Sequence, residues 1–301
     1  MKKVLSLCII GFLILISLYI FLINFNNKEN INISTHRLQW WHTELGLDKY
    51  KIKYKSQKVK IGIIDTGIDG EHQDLMGRIS SNLVVNEVID QKNFDYEHGT
   101  MVAGIIAAIP QSNIGVMGVN PYVEIVSIDI SNNEKTCSVV GLIEAIDYAI
   151  NNNVDIINFS LGISQNTEEL YNKVKEAYSK GIILIAATDN DEKGLFPADY
   201  EEVISVGGYT REGEYMQNNN NIDIYLPGEN IVTTYSSQSN QKEYISCDGS
   251  SLSCAIFSGI VSLLLQDEYI QNSDEFYSFF RGYGKVNSLD EIIEKLNSSY
   301  K

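Results

Sequence analysis

VKIGIIDTGID, residues 59–69, joins an apolar run to an acidic turn. The largely apolar run from Val59 to Ile64 is typical of a buried strand. Thr66 and Gly67 then turn the chain, so Asp65 stands at the carboxyl end of that strand. In open α/β sheets, sites form at the carboxyl ends of the strands. The stretch therefore predicts an α/β fold whose site contains the carboxylate of Asp65.

Two further stretches hold the other side chains of a nucleophilic triad. His98 opens HGTMVAGIIAA, residues 98–108, and Ser251 begins a helical stripe within DGSSLSCAIFSG, residues 248–259. A serine nucleophile needs an imidazole to take its proton, and a buried carboxylate to hold that imidazole in the right tautomer. Taken singly, Asp65 and Ser251 could be turn or cap residues and His98 a surface histidine. Together, in the order Asp, His, Ser, they predict catalysis.

Elsewhere strand-like and helix-like patterns alternate. This alternation indicates an α/β fold with a mostly parallel, doubly wound sheet and helices on both faces. The strands are predicted at Lys60–Asp65, Val123–Asp129, Val154–Ser160, Ile182–Ala187 and Val203–Val206. The helices are predicted at His98–Ile109, Ser138–Asn151, Thr167–Lys180 and Ser251–Gln266. Asn166, with Glu169 three residues later, is predicted to cap the third helix.

These motifs resemble the subtilisin-like serine proteases, and the likeness runs from about Gln39 to Leu296. Seven collinear blocks carry it: Asp65-Thr66-Gly67, His98-Gly99-Thr100, Asn158 to Gly162, Gly181 to Asn190, Leu226-Pro227-Gly228, Gly249-Ser250-Ser251 and Gly282 to Asn287. The resemblance implies a serine endopeptidase with Ser251 as nucleophile, His98 as general base and Asp65 as the orienting acid.

The resemblance also implies the remaining parts of the site. Asn190 matches an oxyanion donor, a side-chain amide aimed at the charge of the tetrahedral intermediate. Ser160, Leu161 and Gly162 match the substrate-binding segment. Asp191 and Leu195 fall near the specificity pocket. With Glu192, Asp191 is expected to favour basic side chains before the scissile bond, and Leu195 to narrow the pocket floor. The alternative is that both acids point to solvent and the pocket takes apolar side chains.

A structural calcium ion is a further expectation from the resemblance, although no cofactor is required for catalysis. The stretch from Ile114 to Pro121 is similar to the family's calcium loop. The ligands would be Gln39, Asp74, Pro110, Ser112, Ile114 and Val116. Ser112 stands where asparagine is usual, so fewer strong oxygen ligands are available. The alternative is a loop held by apolar packing of Ile114 and Val116.

Several residues depart from the family pattern. Near the nucleophile these are Ser250, Ser253, Ala255 and Ile256; elsewhere they are Met101 and Asp189. Asp189 replaces a glycine, and its charge beside the oxyanion would oppose formation of that anion. These departures support a rival hypothesis, a catalytically impaired, membrane-anchored pseudoprotease that binds peptides.

The N-terminus predicts a location. Val4 to Ile23 is an uncharged, largely apolar run of about 20 residues, long enough to span a bilayer, and no small-residue cleavage site follows it. Residues 1–24 are therefore predicted to be a transmembrane anchor or signal segment, 25–38 a linker, 39–296 the peptidase domain and 297–301 a tail. Lys2 and Lys3 place the catalytic domain on the extracytoplasmic side of the cell membrane; a secreted protein is the alternative.

The segment between the apolar run and the first strand leaves no room for a folding pro-domain. We therefore expect a processing protease, similar to those that remove leader peptides from lantibiotics, that acts on an exported peptide. The formal net charge of -16 argues against nucleic acid as a partner. Cys137, Cys247 and Cys254 are an odd number outside the apolar run, so at least one is free or paired elsewhere.

Overall fold

The computed structural model describes residues 38–85, 97–111, 115–131, 137–188, 195–217, 222–236 and 242–299. The chain divides into two compact units, residues 1–32 with 51–56, and residues 33–50 with 57–301. Of the first unit only residues 51–56 are described, and they form neither helix nor strand. All elements named below belong to the second unit.

In the described residues, eight parallel strands form the main sheet and two antiparallel strands form a separate hairpin. The strands are β1 (Lys60–Asp65), β2 (Ile79–Val84), β3 (Glu124–Asp129), β4 (Ile156–Phe159), β5 (Ile183–Ala187), β6 (Ile204–Tyr209), β7 (Ile224–Pro227), β8 (Ile231–Ser236), β9 (Lys242–Cys247) and β10 (Gly284–Lys285). The main sheet has the order β10-β7-β6-β5-β4-β1-β3-β2, and β8 pairs with β9. β1 pairs with β3 on one side and with β4 on the other. The strand order therefore runs in opposite directions from β1, which makes it the point at which the sheet reverses its order. This reversal point is where open α/β sheets place their sites.

Seven helices accompany these strands in the same part of the chain. They are α1 (Trp40–Glu44), α2 (Glu97–Ala107), α3 (Val139–Asn151), α4 (Glu168–Ser179), α5 (Ser250–Gln266), α6 (Ser273–Phe280) and α7 (Leu289–Ser299). Among the described residues, none of them is long and apolar enough to cross a membrane. The predicted anchor, residues 1–24, lies outside the described residues, as does nearly all of the predicted linker, and both stay predictions.

Helices cover both faces of the sheet, as the sequence predicts. Ile157 and Phe159 of β4 join an apolar core with residues of α3 and α4 such as Leu142 and Leu170. Asn158, between them, points to the other face and donates to Ser258 on α5 at 2.9 Å. Because successive strand residues alternate in direction, one short strand anchors helices on both sides.

The hairpin of β8 and β9 fastens α2 in place. Thr233 and Thr234 of β8 donate their hydroxyls to the backbone carbonyls of Met101 and Thr100, both at 2.7 Å. A methyl group placed on Gly104 of α2 would lie 2.1 Å from Thr234 Oγ1. The helix that carries His98 is therefore held by an element that the sequence pattern did not predict.

Some predicted boundaries and one predicted cap are wrong. The helix predicted to reach Ile109 ends at Ala107. The N-cap of α4 is Thr167, whose hydroxyl accepts from Leu170 N at 3.2 Å, and not Asn166. Asn166 instead accepts a hydrogen bond from Tyr200 OH at 2.8 Å. The side chain of Asn166 therefore bonds to Tyr200, a distant residue, and does not cap the helix as the local sequence predicted.

The contact between α5 and Val119 makes a test of the packing. A methyl group on Gly259 would lie 2.5 Å from Val119 Cβ. Gly259→Ala should therefore lower the free energy of unfolding by about 1–3 kcal/mol, although alanine is the better helix former by ~1 kcal/mol. Urea unfolding in a Ser251→Ala background, which prevents self-digestion, measures this change.

Gly62→Ala is the matched control, because its methyl group would have no neighbour closer than 3.5 Å. We expect this variant to be at least as stable as the parent. Equal stability of Gly259→Ala and the parent would show that Val119 moves away from the added methyl group at little cost in free energy.

Candidate active site

Asp65 ends β1 and is 1% exposed. The backbone N–H of Thr66 donates to its Oδ1 at 2.7 Å. A buried carboxylate costs free energy unless donors face it, and here the turn after the strand supplies one of them. The sequence therefore folds Asp65 into the position expected of a group that orients an imidazole.

His98 is the second residue of α2, and its ring faces Asp65. Nδ1 lies 2.9 Å from both carboxylate oxygens. The next residue can only be glycine, because a methyl group on Gly99 would lie 2.0 Å from the carbonyl oxygen of Gly67. Gly99 N also donates to Thr66 Oγ1 at 3.0 Å. The His-Gly-Thr motif thus brings the imidazole onto the carboxyl end of β1.

Ser251 is the second residue of α5, and its Oγ lies 3.1 Å from His98 Nε2. Gly249 caps the helix with φ 154 and ψ 154, which is a conformation that side chains disfavour. The hydroxyl of Ser250 donates to the carbonyl of Thr188. The structure therefore brings the three predicted triad residues, from three distant stretches, into one chain of hydrogen bonds.

Asp65 also determines the protonation of His98. The nearby carboxylate raises the pKa of the imidazole above its usual value, against the opposing effect of burial. A base with a raised pKa accepts the proton of a hydroxyl group more readily. The same interaction favours Nδ1–H toward Asp65, which leaves Nε2 free to accept from Ser251.

Ser160, Leu161 and Gly162 line a cleft beside the triad. The cavity has a volume of about 660 Å³, and its walls include Asp65, His98 and Cys137. Ser160 Oγ lies 3.0 Å from the carbonyl oxygen of Ser251 and 2.9 Å from Asn158 Oδ1, which ties the segment to α5. The structure therefore brings the predicted substrate-binding segment to the triad.

Leu195 contacts the same segment at Gly162. A methyl group placed on Gly162 would lie 2.4 Å from Leu195 Cγ, so the leucine packs directly on the glycine. Ile163 and Phe196 exchange two backbone hydrogen bonds of 2.9 and 2.8 Å beside this contact. The predicted oxyanion donor Asn190 and the predicted pocket residue Asp191 lie outside the described residues, as does Asp189.

In the described residues, hydrogen-bond donors face two of the expected calcium ligands, Asp74 and Gln39. The Asp74 carboxylate accepts from the backbone N–H groups of Gln111 and Val116 and from Tyr244 OH, each at 2.9 Å. Gln39 Oε1 accepts from the backbone N–H of Val232 at 2.7 Å. A carboxylate has about four lone-pair sites and an amide oxygen two, so these oxygens can accept hydrogen bonds and still coordinate a cation, and the calcium site stays a prediction.

The other expected ligands, Pro110, Ser112, Ile114 and Val116, add no acidic side chain. In the described part of the chain there is no group of three or more His, Cys, Asp or Glu side chains that could hold a metal. The predicted ligands Ser112 and Ile114 lie outside it. The backbone N–H of Val116 donates to Asp74, so hydrogen bonds hold the described part of this loop.

Residues that depart from the family pattern are accommodated. Ser253 donates to the carbonyl of Pro227 at 3.0 Å, and Ala255 and Ile256 are fully buried within α5. Cys254, Cys137 and Cys247 are free thiols. Burial raises the pKa of the Cys137 thiol to about 11, so it lines the cleft as a neutral group.

Asp129 is a site residue that the sequence pattern did not single out. It ends β3 in register with Asp65, and it is fully buried. Oδ1 accepts from the N–H and hydroxyl of Ser131 at 2.9 and 2.6 Å, whereas the buried Oδ2 has no hydrogen-bond partner among the described residues. Burial, and to a lesser degree the charge of Asp65, raise the pKa of Asp129. The sequence could have indicated Asp129, because it lies at the end of a predicted strand. Its place beside Asp65, however, follows only from the register between β1 and β3.

Comparisons with known proteins show which family this chain is similar to. The profile of the subtilase family matches residues 56–276. The intracellular serine protease of Paenibacillus polymyxa is 35% identical over 227 residues, which cover 70% of this chain and 68% of that protein. The major intracellular serine protease of Bacillus subtilis (strain 168) is 34% identical over 290 residues, 82% of this chain and 86% of the relative. Subtilisin DY of Bacillus licheniformis is 31% identical over 221 residues, 70% of this chain and 78% of the relative.

The raised pKa of Asp129 predicts how stability depends on pH. A carboxyl group with a higher pKa in the folded state destabilises the fold above that pKa and has no effect below the unfolded value of about 3.9. The amide of Asp129→Asn does not ionise, so the free energy of unfolding of this variant should rise relative to the parent as the pH increases above about 4, and level off once Asp129 is ionised in the folded parent. The rise should be about 1.4 kcal/mol for each pH unit by which folding raises the pKa of Asp129. Urea unfolding at several pH values, in the Ser251→Ala background, measures it.

Asp147→Asn is the control of opposite sign. Its hydrogen bond with Lys173 lowers the pKa of Asp147, and the side chain is 51% exposed. That variant should lose a little stability relative to the parent as the pH rises. A difference between Asp129→Asn and the parent that is the same at every pH would show that Asp129 ionises as freely in the folded state as in the unfolded one.

Proposed function

The chain belongs to the subtilase family and is a serine-type endopeptidase, and from that premise we propose that Ser251 is its nucleophile, His98 its general base and Asp65 the group that orients His98. The single observation that carries the proposal is the continuous line of hydrogen bonds, 2.9 Å from Asp65 to His98 and 3.1 Å from His98 to Ser251. Along such a line the serine proton can pass to the imidazole while the carboxylate holds the ring in place.

Acylation begins when Ser251 Oγ attacks the carbonyl carbon of the scissile peptide and its proton passes to His98 Nε2. The C–N bond then breaks, and the leaving amine takes that proton from the imidazolium. A water molecule then attacks the acyl-enzyme while His98 takes its proton. His98 returns this proton to Ser251 Oγ as the ester bond breaks, which releases the carboxylic acid product. Asp65 remains ionised throughout and stabilises the imidazolium.

The oxyanion needs donors aimed at it. The N–H of Ser251 is one of the first N–H groups of α5, which have no acceptor within the helix. We assign the second donor to the side-chain amide of Asn190, from its position after the β5 segment. Preorganised donors of this kind act on the charge that develops only in the transition state.

The substrate is a peptide or protein chain. Residues 160–162 follow β4 and lie along the cleft, and we propose that an extended substrate pairs with their backbone. The net charge of -16 would repel the phosphates of a nucleic acid, so we propose no nucleic acid partner.

We also propose that the enzyme processes an exported peptide, as a single-pass membrane protein whose catalytic domain is extracytoplasmic. The support for this location is the apolar run from Val4 to Ile23 alone. Relatives carry names of both intracellular and extracellular proteases. A leader-peptide substrate, and calcium at the loop of Ser112 and Ile114, rest only on the resemblance.

Ser251→Ala tests the nucleophile and the rival pseudoprotease together. Wild type should react with a fluorophosphonate probe and cleave peptides, whereas Ser251→Ala should lose labelling and fall to the residual rate supplied by binding and the oxyanion site. In-gel fluorescence and peptide turnover measure the two. Ser253→Ala, a buried serine on the same helix, is the matched control and should stay labelled. Labelling that survives in Ser251→Ala would exclude this nucleophile, and a wild type that binds peptide without cleaving it would favour the pseudoprotease.

Asn190→Leu tests the oxyanion donor. Loss of one such donor should lower kcat by about 100–1000-fold and change KM little, a size known for enzymes of this family. Steady-state kinetics with one peptide substrate separate the two constants. A loss confined to KM would show that Asn190 only positions the substrate.

A further inference from the structure

Asn158 is a polar residue in the middle of an otherwise apolar strand. It is fully buried in β4, between Ile63 of β1 and Ile185 of β5, with which it is in register. A buried amide costs free energy unless hydrogen bonds satisfy it. The position of this side chain is therefore determined by the polar groups that face it.

The two ends of the Asn158 amide bond to different parts of the chain. Nδ2 donates to Ser258 Oγ at 2.9 Å and to the sulfur of Cys254 at 3.2 Å, both on α5. Oδ1 accepts from Ser160 Oγ at 2.9 Å. An amide has two N–H donors and an oxygen with two lone pairs, so one side chain serves all three partners. Asn158 thereby joins α5 to the first residue of the substrate-binding segment, residues 160–162.

Ser160 extends this link to Ser251. Its Oγ lies 2.9 Å from Asn158 Oδ1 and 3.0 Å from the carbonyl oxygen of Ser251. A hydroxyl group has one proton, so these two oxygens share it in a bifurcated hydrogen bond. The position of the Ser160 hydroxyl, and with it the distance between residues 160–162 and Ser251, therefore depends on Asn158.

The hydrogen bond between His98 and Ser251 does not include Asn158. His98 stands on α2, whose first turn bonds to Thr66 and Thr233, and its Nε2 lies 3.1 Å from Ser251 Oγ. Proton transfer and substrate alignment are thus set by separate contacts. Alignment matters because the reacting atoms must lie about 3–3.5 Å apart, and an error of about 1 Å can cost roughly 100-fold in rate.

We propose that Asn158 is a positioning residue, which acts through Ser160 to set the distance between the substrate-binding segment and Ser251. The inference rests on the proposed roles of Ser251 and of residues 160–162. An extended peptide that pairs with this segment is held at the distance that Asn158 fixes. A small ester that does not reach the segment needs only Ser251 and His98, so its hydrolysis does not depend on Asn158.

Asn158→Leu tests this role, because leucine has the same branching but no polar end. The variant should lower kcat/KM for an extended peptide by about 10–100-fold, chiefly through kcat, and change kcat/KM for para-nitrophenyl acetate by less than about threefold. Steady-state kinetics with both substrates give the peptide-to-ester ratio, and urea unfolding reports the fold. If leucine prevents folding, Asn158→Ser, which shortens the side chain, should show the same fall in the ratio.

Ser258→Ala is the matched control, because it removes another hydrogen bond of Asn158 and leaves Ser160 in place. It should lose stability and keep the wild-type ratio. Ser160→Ala should lower the ratio as Asn158→Leu does, and the double variant should lower it no further, because both residues act in one chain of contacts. Additive losses in the double variant would show that Asn158 does not act through Ser160.

Fluorophosphonate labelling of every variant separates this inference from the proposed function. If labelling at Ser251 persists but Asn158→Leu leaves the ratio unchanged, lowers both rates equally or raises only KM, the role of Asn158 is wrong and the triad stands. A wild type that is not labelled would overturn both.

Discussion

The contact between the turn after β1 and the start of α2 leaves no room for a side chain, and the geometry of the site depends on it. The carbonyl oxygen of Gly67 would lie 2.0 Å from any Cβ at position 99. This close approach lets the His98 ring reach both oxygens of a carboxylate that ends a buried strand. Thr233 and Thr234 then hold α2 from the outer side, so the imidazole is fixed by backbone contacts and not by its own hydrogen bonds alone.

Buried polar contacts position α5 in a similar way. Asn158 donates to Ser258 at 2.9 Å, and Asn120 donates to Ser262 at 3.0 Å. A buried polar group without a partner costs free energy, so each of these pairs favours one rotation and one height of the helix. Ser251, the proposed nucleophile, is the second residue of this helix, where N–H groups have no acceptor within the helix and the dipole has its positive end. The hydrogen bonds that pack α5 therefore also fix the position of Ser251.

The electrostatics of the site come from two carboxyl groups at the ends of neighbouring strands. Asp65 accepts from the N–H of Thr66, whereas Oδ2 of its register partner Asp129 has no hydrogen-bond partner among the described residues, and burial raises the pKa of Asp129. The charge on Asp65 raises the pKa of His98, while burial keeps the Cys137 thiol beside the cleft neutral. One ionised carboxylate therefore acts on the imidazole from a buried position, where water screens its charge little.

Local sequence determined the strands from Lys60 and Val154, the helices that start near His98 and Ser251, and the three residues of the proposed triad, because each depends on neighbours along the chain. The triad residues lie at element ends, and parallel strands bring such ends to one edge of a sheet. Tertiary structure decided the rest. The cap at Thr167 in place of Asn166, the pairing of Asp65 with Asp129 and the packing of Leu195 on Gly162 each depend on a partner from a distant segment. Strand register and the crossover connections between strands determine which distant residues meet. The hydrophobic periodicity of a single segment does not encode these pairs.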